Sequence, residues 1–102
     1  MNNIIGKWVQ VEGQPYEGLW FEFLEDGTFK AQYDPMSIES SGTYKVAQGE
    51  IIMQQTTHTF GMVGEFKGIY QVDGDQLKMA LASGPGQEAP ENLSEARIYQ
   101  KE

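Results

Sequence analysis

The chain has 102 residues, enough for one hydrophobic core and too few for two. It contains no cysteine, which excludes disulfides, thiolate nucleophiles and cysteine-ligated metal sites. Fifteen acidic residues against seven basic ones give a net charge of −8 without any basic stripe, which argues against nucleic acid and anionic membrane surfaces as partners.

No apolar run approaches the ~20 residues of a spanning helix, and residues 1–8 hold no signal-peptide core. The expectation is one soluble, cytoplasmic domain over residues 1–102. Residues 2–5 have room for a helical turn, and a first strand is expected around 5–11. Leu19, Phe21 and Phe23 then alternate with Trp20, Glu22 and Leu24, and Asp26-Gly27 supplies the residues a tight hairpin prefers. In the next strand Phe29, Ala31 and Tyr33 alternate with Thr28, Lys30 and Gln32. Asp34-Pro35 ends it, because proline donates no ladder hydrogen bond. A loop through Ser40-Ser41 is expected to follow.

From Gly42 the sequence repeats itself. Gly42-Thr43-Tyr44-Lys45-Val46, a turn around Gly49, Ile51 and Met53 correspond to Gly68-Ile69-Tyr70-Gln71-Val72, a turn at Asp73-Gly74-Asp75, Leu77 and Met79. Each copy reads as a hairpin with its tyrosine, valine, aliphatic residue and methionine on one face. Ser83-Gly84-Pro85-Gly86 through Pro90-Glu91-Asn92 reads as an exposed loop, with room for one helical turn at 91–95, before a last strand around 96–101. About eight strands joined by short turns must hide one apolar face and protect two sheet edges. An all-β, antiparallel up-and-down barrel does both, and a β-sandwich is the runner-up.

Gly6-Lys7-Trp8, Phe21-x-Phe23-x-x-Asp26-Gly27-Thr28-Phe29, the two hairpins and Ile98-Tyr99-Gln100-Lys101 together resemble the small bacterial lipocalin-like domains of the calycin type. The resemblance covers most of the chain. It implies a barrel sealed at one end by Trp8 after Gly6, with a cation of the last strand, Arg97 or Lys101, across the indole ring. It also implies an interior that can take a small molecule. The chain is shorter than a secreted lipocalin and lacks its disulfide, which argues against bulky cargo.

By alternation the inward set is Leu19, Phe21, Phe23, Phe29, Tyr33, Tyr44, Val46, Ile51, Met53, Phe66, Tyr70, Val72, Leu77, Met79 and Leu81. An eight-stranded barrel is just wide enough to be filled by its side chains or to hold one small ligand, and this set is compatible with both. If a ligand binds, the expected contacts are Phe21, Phe29, Tyr33, Tyr44, Met53, Phe66, Tyr70 and Met79. Buried tyrosine hydroxyls need partners, with Gln55 and Thr57 among those available, and thioethers adapt to varied shapes.

His58 is the only histidine. Simple alternation places it outside, opposite in sense to Met53, and a bulge would turn it inward. No cofactor is implied, because nothing else supports haem, and a zinc site would lack ligands. No catalytic constellation is marked, which points away from an enzyme. Tyr44 or Tyr70 with Glu65 is the one acid–base pair worth testing against the fold. The leading expectation is therefore a module that binds a small hydrophobic or amphipathic molecule. The alternative is a packed barrel that meets a second copy or another chain through outward Trp20 and Leu24.

Overall fold

A computed structural model describes residues 4–82, 84–94 and 96–102. Eight antiparallel strands run in chain order around a closed barrel. They are β1 (Gly6–Gln10), β2 (Trp20–Phe23), β3 (Thr28–Tyr33), β4 (Ile38–Ala47), β5 (Glu50–His58), β6 (Gly64–Asp73), β7 (Gln76–Leu81) and β8 (Arg97–Lys101). Because β8 pairs back onto β1, no ladder edge stays open, and the sandwich alternative is excluded.

The hairpins form where the turn residues stand. Gly27, with φ of 88°, closes the β2–β3 turn, in which its N–H donates to Leu24 O at 3.1 Å and Leu24 N–H donates to Thr28 O at 2.8 Å. The two repeat copies fold as β4–β5 and β6–β7 in matching register, Tyr44 opposite Met53 and Tyr70 opposite Met79. Their turns differ: Gln48 and Gly49 both take positive φ (52° and 83°), whereas Gly74 alone does so (63°) in the second copy.

Three expectations need correction. Ser40-Ser41 belongs to β4, not to a loop, because a single 3₁₀ turn (Asp34–Met36) followed by left-handed Ser37 reverses the chain at once and brings Ile38 opposite Tyr33. Val46 is 37% exposed rather than inward in the core, since it stands next to the β4–β5 turn where the barrel ends. At 91–95 there is no helix among the described residues; a bend closes with Ala96 N–H on Leu93 O at 3.1 Å. Asn2 and Asn3 of the turn expected at 2–5, together with Ser83 and Glu95, lie outside the described residues.

The core is concentrated towards one end of the barrel. Trp8, Phe23, Phe29, Ile51, Leu77 and Met79 are fully buried there, with the aromatic rings of Phe21, Phe23, Phe29 and Tyr44 in mutual contact. The hairpin turns β2–β3, β4–β5 and β6–β7 gather at this end. The connections β1–β2, β3–β4, β5–β6 and β7–β8 gather at the other, where the interior opens.

Candidate functional site

The closed end is built from β1 and β8. Trp8 Nε1 donates to Ile4 O at 2.8 Å, and Lys101 Nζ lies 5.5 Å from the centre of the indole ring. The cation is therefore Lys101 and not Arg97. Both occupy the same face of β8, but Lys101 pairs directly with Trp8, whereas Arg97 pairs with Met79, about 13 Å further along at ~3.3 Å per residue. Gly6 makes room for the lysine: with φ of 132°, a Cβ there would sit 2.9 Å from Lys101 Cε. The short Gly-x-Trp sequence thus serves one packing need, an aromatic plug under an aliphatic and cationic strap.

The open end holds a cavity of about 410 Å³. Its walls are Leu19 and Phe21 from the start of the barrel, Ala31, Met53, Phe66 and Leu81. Gln32, Tyr33, Ser40, Gln55 and His58 supply its polar atoms, and among the described lining residues there is no Asp, Glu, Lys or Arg. Tyr16, Met36, Phe60 and Met62 complete the lining from three different connections. Several of these are exposed at the mouth, Phe60 by 66%. A wider and more polar cleft shares Tyr16, Leu19, Phe21, Leu81 and Ala82 with the cavity and extends over Gln10, Met79, Arg97 and Tyr99 towards the β7–β8 connection.

Of the ligand contacts expected from alternation, Phe21, Tyr33, Met53 and Phe66 line the cavity, and Met79 lines the adjoining cleft. Phe29 and Tyr70 lie in the packed core instead, and Tyr44 packs against it. The Tyr44 hydroxyl donates to Leu24 O at 2.8 Å, so its polar atom is satisfied at the closed end. The reason is axial: alternation reports which face a residue occupies, but not how far along the barrel it stands.

His58 reaches the cavity through a bulge. Ser41 pairs with Thr57, yet Gly42 pairs with Gln55, which leaves Thr56 as an extra residue in β5 and shifts His58 to the inner face opposite Ser40. The sequence carried one signal for this, Gly42. A Cβ at that position would overlap the Gln54 carbonyl, and glycine inside a strand often marks a bulge. The imidazole Nδ1 accepts the Phe60 N–H at 3.0 Å. Gln55 Nε2 donates to Met62 O at 2.5 Å. Two cavity residues of β5 thus hold down the β5–β6 connection that carries the exposed Phe60 and Met62.

Gln10, a residue alternation did not single out, is buried with both ends of its amide hydrogen-bonded. Its Nε2 donates to the Tyr99 hydroxyl at 3.2 Å, and its Oε1 accepts the Tyr16 N–H at 2.8 Å. It anchors the β1–β2 connection, whose Tyr16 ring meets Tyr33 edge-on at 5.7 Å across the mouth. Burial pushes the Tyr99 hydroxyl up to about 12, against a small opposing effect of the Gln10 bond.

The Tyr–Glu acid–base pair does not form. Tyr44 and Tyr70 face inward, while Glu65 stands in outward register and accepts a bond from Gln54 Nε2 at 3.0 Å. Trp20 is half-buried, with Lys7 Nζ 4.3 Å from its ring centre, and Leu24 is half-buried as well. The outward pair is therefore not an open apolar patch. Among the described residues no three His, Cys, Asp or Glu are placed to share a metal ion, and no helix is long and apolar enough to cross a membrane. Compared with family models, curated proteins and solved structures, the chain matches none.

Proposed function

We propose that this chain is a binding module of lipocalin-like type that takes one small hydrophobic or amphipathic molecule into the open half of its barrel. The observation that carries this reading is the cavity of about 410 Å³, apolar along its walls and polar at a few points. Its size falls within the ~300–1,000 Å³ of sites that hold small molecules. The fold supports the same reading. Half of the lumen is packed behind Trp8, which provides the stability, and the other half is left to a guest.

The exposed side chains at the mouth fit this role. Met36, Phe60 and Met62 line the cavity and are each about half exposed or more, so they present apolar surface to a ligand entering from solvent. Methionine and phenylalanine on connections can repack around different shapes.

The test is a thermal-shift and native mass-spectrometry screen of medium-chain lipids and bicyclic aromatics. A binder is expected to raise the melting temperature progressively with concentration and to appear as a one-to-one adduct. Ala31→Leu, which fills the cavity from its wall, is expected to abolish both signals while leaving the protein folded. If no compound shifts the wild type and no adduct forms, the binding reading falls.

A further inference from the structure

The polar atoms of the cavity differ in what they have left to offer. His58 Nδ1 is committed to the Phe60 N–H. A backbone N–H can only donate, so Nδ1 accepts, and in the neutral ring Nε2 carries the hydrogen. In Gln55 one N–H of the amide nitrogen is committed to the Met62 carbonyl, which can only accept, and this leaves Oε1 as the open acceptor beside a second N–H. No partner for either remaining atom stands among the described residues, and no described side-chain N or O is both sealed from solvent and unpaired. His58 Nε2–H and Gln55 Oε1 are thus accessible, and both residues line the cavity.

His58 Nε2–H and Gln55 Oε1, beside the hydroxyls of Tyr33 and Ser40 and the amide of Gln32 in a wall with no charged side chain, favour a neutral polar group over a charged one. A carboxylate would bring a negative charge to walls that offer no Lys or Arg, at a desolvation cost a neutral group avoids. An ammonium would find no carboxylate there. A hydrocarbon would leave both polar atoms stripped of water and unpaired. A hydroxyl answers each need with the fewest atoms, because a single oxygen can accept from His58 and donate to Gln55. We infer that the site selects a neutral hydroxyl-bearing ligand, an alcohol or phenol on an apolar body, with His58 and Gln55 as the specificity-determining residues. This rests on the binding reading above and names its ligand class.

Three probes of similar shape test it at neutral pH: 2-naphthol, 2-methylnaphthalene and 2-naphthoate, titrated by calorimetry against wild type, His58→Phe and Gln55→Leu. Wild type is expected to bind 2-naphthol roughly tenfold more tightly than 2-methylnaphthalene, the worth of one or two buried hydrogen bonds, and 2-naphthoate more weakly than 2-naphthol. In either variant the preference for the naphthol over the methyl analogue is expected to fall towards one, while binding of 2-methylnaphthalene persists. The wild-type ratio needs no variant, and circular dichroism of each variant checks that a lost preference is not a lost fold. Equal binding of the naphthol and its methyl analogue by wild type, or tighter binding of the naphthoate, overturns the hydroxyl assignment and leaves the cavity reading intact. A preference that survives in both folded variants overturns the roles of His58 and Gln55. Binding of none of the three overturns the assignment, and the screen of wider chemistry then decides the cavity reading separately.

Discussion

The Tyr99 hydroxyl is held away from water inside the barrel, and that has a measurable consequence. Burial raises it from an ordinary value of 10.0 to about 12, so the folded state keeps its proton where the unfolded chain would lose it. The associated stability is complete below pH ~10 and is lost as pH rises through about 12, a fall on the order of 2–3 kcal/mol at 1.36 per pH unit. Tyr44 is raised in the same direction, by its partial burial first and then by the Asp26 and Glu25 carboxylates, so it steepens the same alkaline limb. Urea titrations across this range are expected to show the decline, and Tyr99→Phe is expected to flatten part of it. At Gly6 the constraint is steric. Gly6→Ala must adopt φ of 132° and press on Lys101 Cε, and a loss of about 1–3 kcal/mol in urea stability is expected. Adding Lys101→Ala is expected to recover only the crowding part, because the backbone strain remains.

The β4–β5 hairpin shows how one element carries both a legible and an illegible feature. Its register near the turn, Val46 opposite Ile51 and Tyr44 opposite Met53, follows from alternation and from the residues of the turn. Beyond Gly42 the count changes by one residue, so His58 stands opposite Ser40 rather than Glu39. The chain has no cysteine of its own, which makes a cross-linking test clean. The pair Ser40→Cys with His58→Cys is expected to oxidise to a disulfide under mild conditions. Glu39→Cys with His58→Cys is expected to stay reduced, because those side chains point to opposite faces. The second repeat copy has no such shift, and the whole β6–β7 pairing from Gly68 to Asp73 is continuous. The two segments of similar sequence therefore keep the same pairing, and the shift lies just beyond the first copy, at Thr56.

Across the whole molecule the barrel divides its labour along its axis. Trp8→Ala at the packed end removes a fully buried plug and is expected to cost about 3–5 kcal/mol, read as a lower urea midpoint. Phe60→Ser at the mouth changes a side chain that is 66% exposed and is expected to stay within about 0.5 kcal/mol. The strand count, the hairpin turns and the membership of Phe21, Phe23, Phe29, Met53 and Leu77 in the inner face were determined by the sequence alone. Each depends on period-two spacing or on turn chemistry within a few residues. Tertiary structure alone decided three matters: that the lumen is filled at one end and open at the other, that Lys101 rather than Arg97 covers Trp8, and that His58 faces inward. All three depend on how far one strand is offset from the next around a closed circuit, and that offset is set jointly by all eight strands.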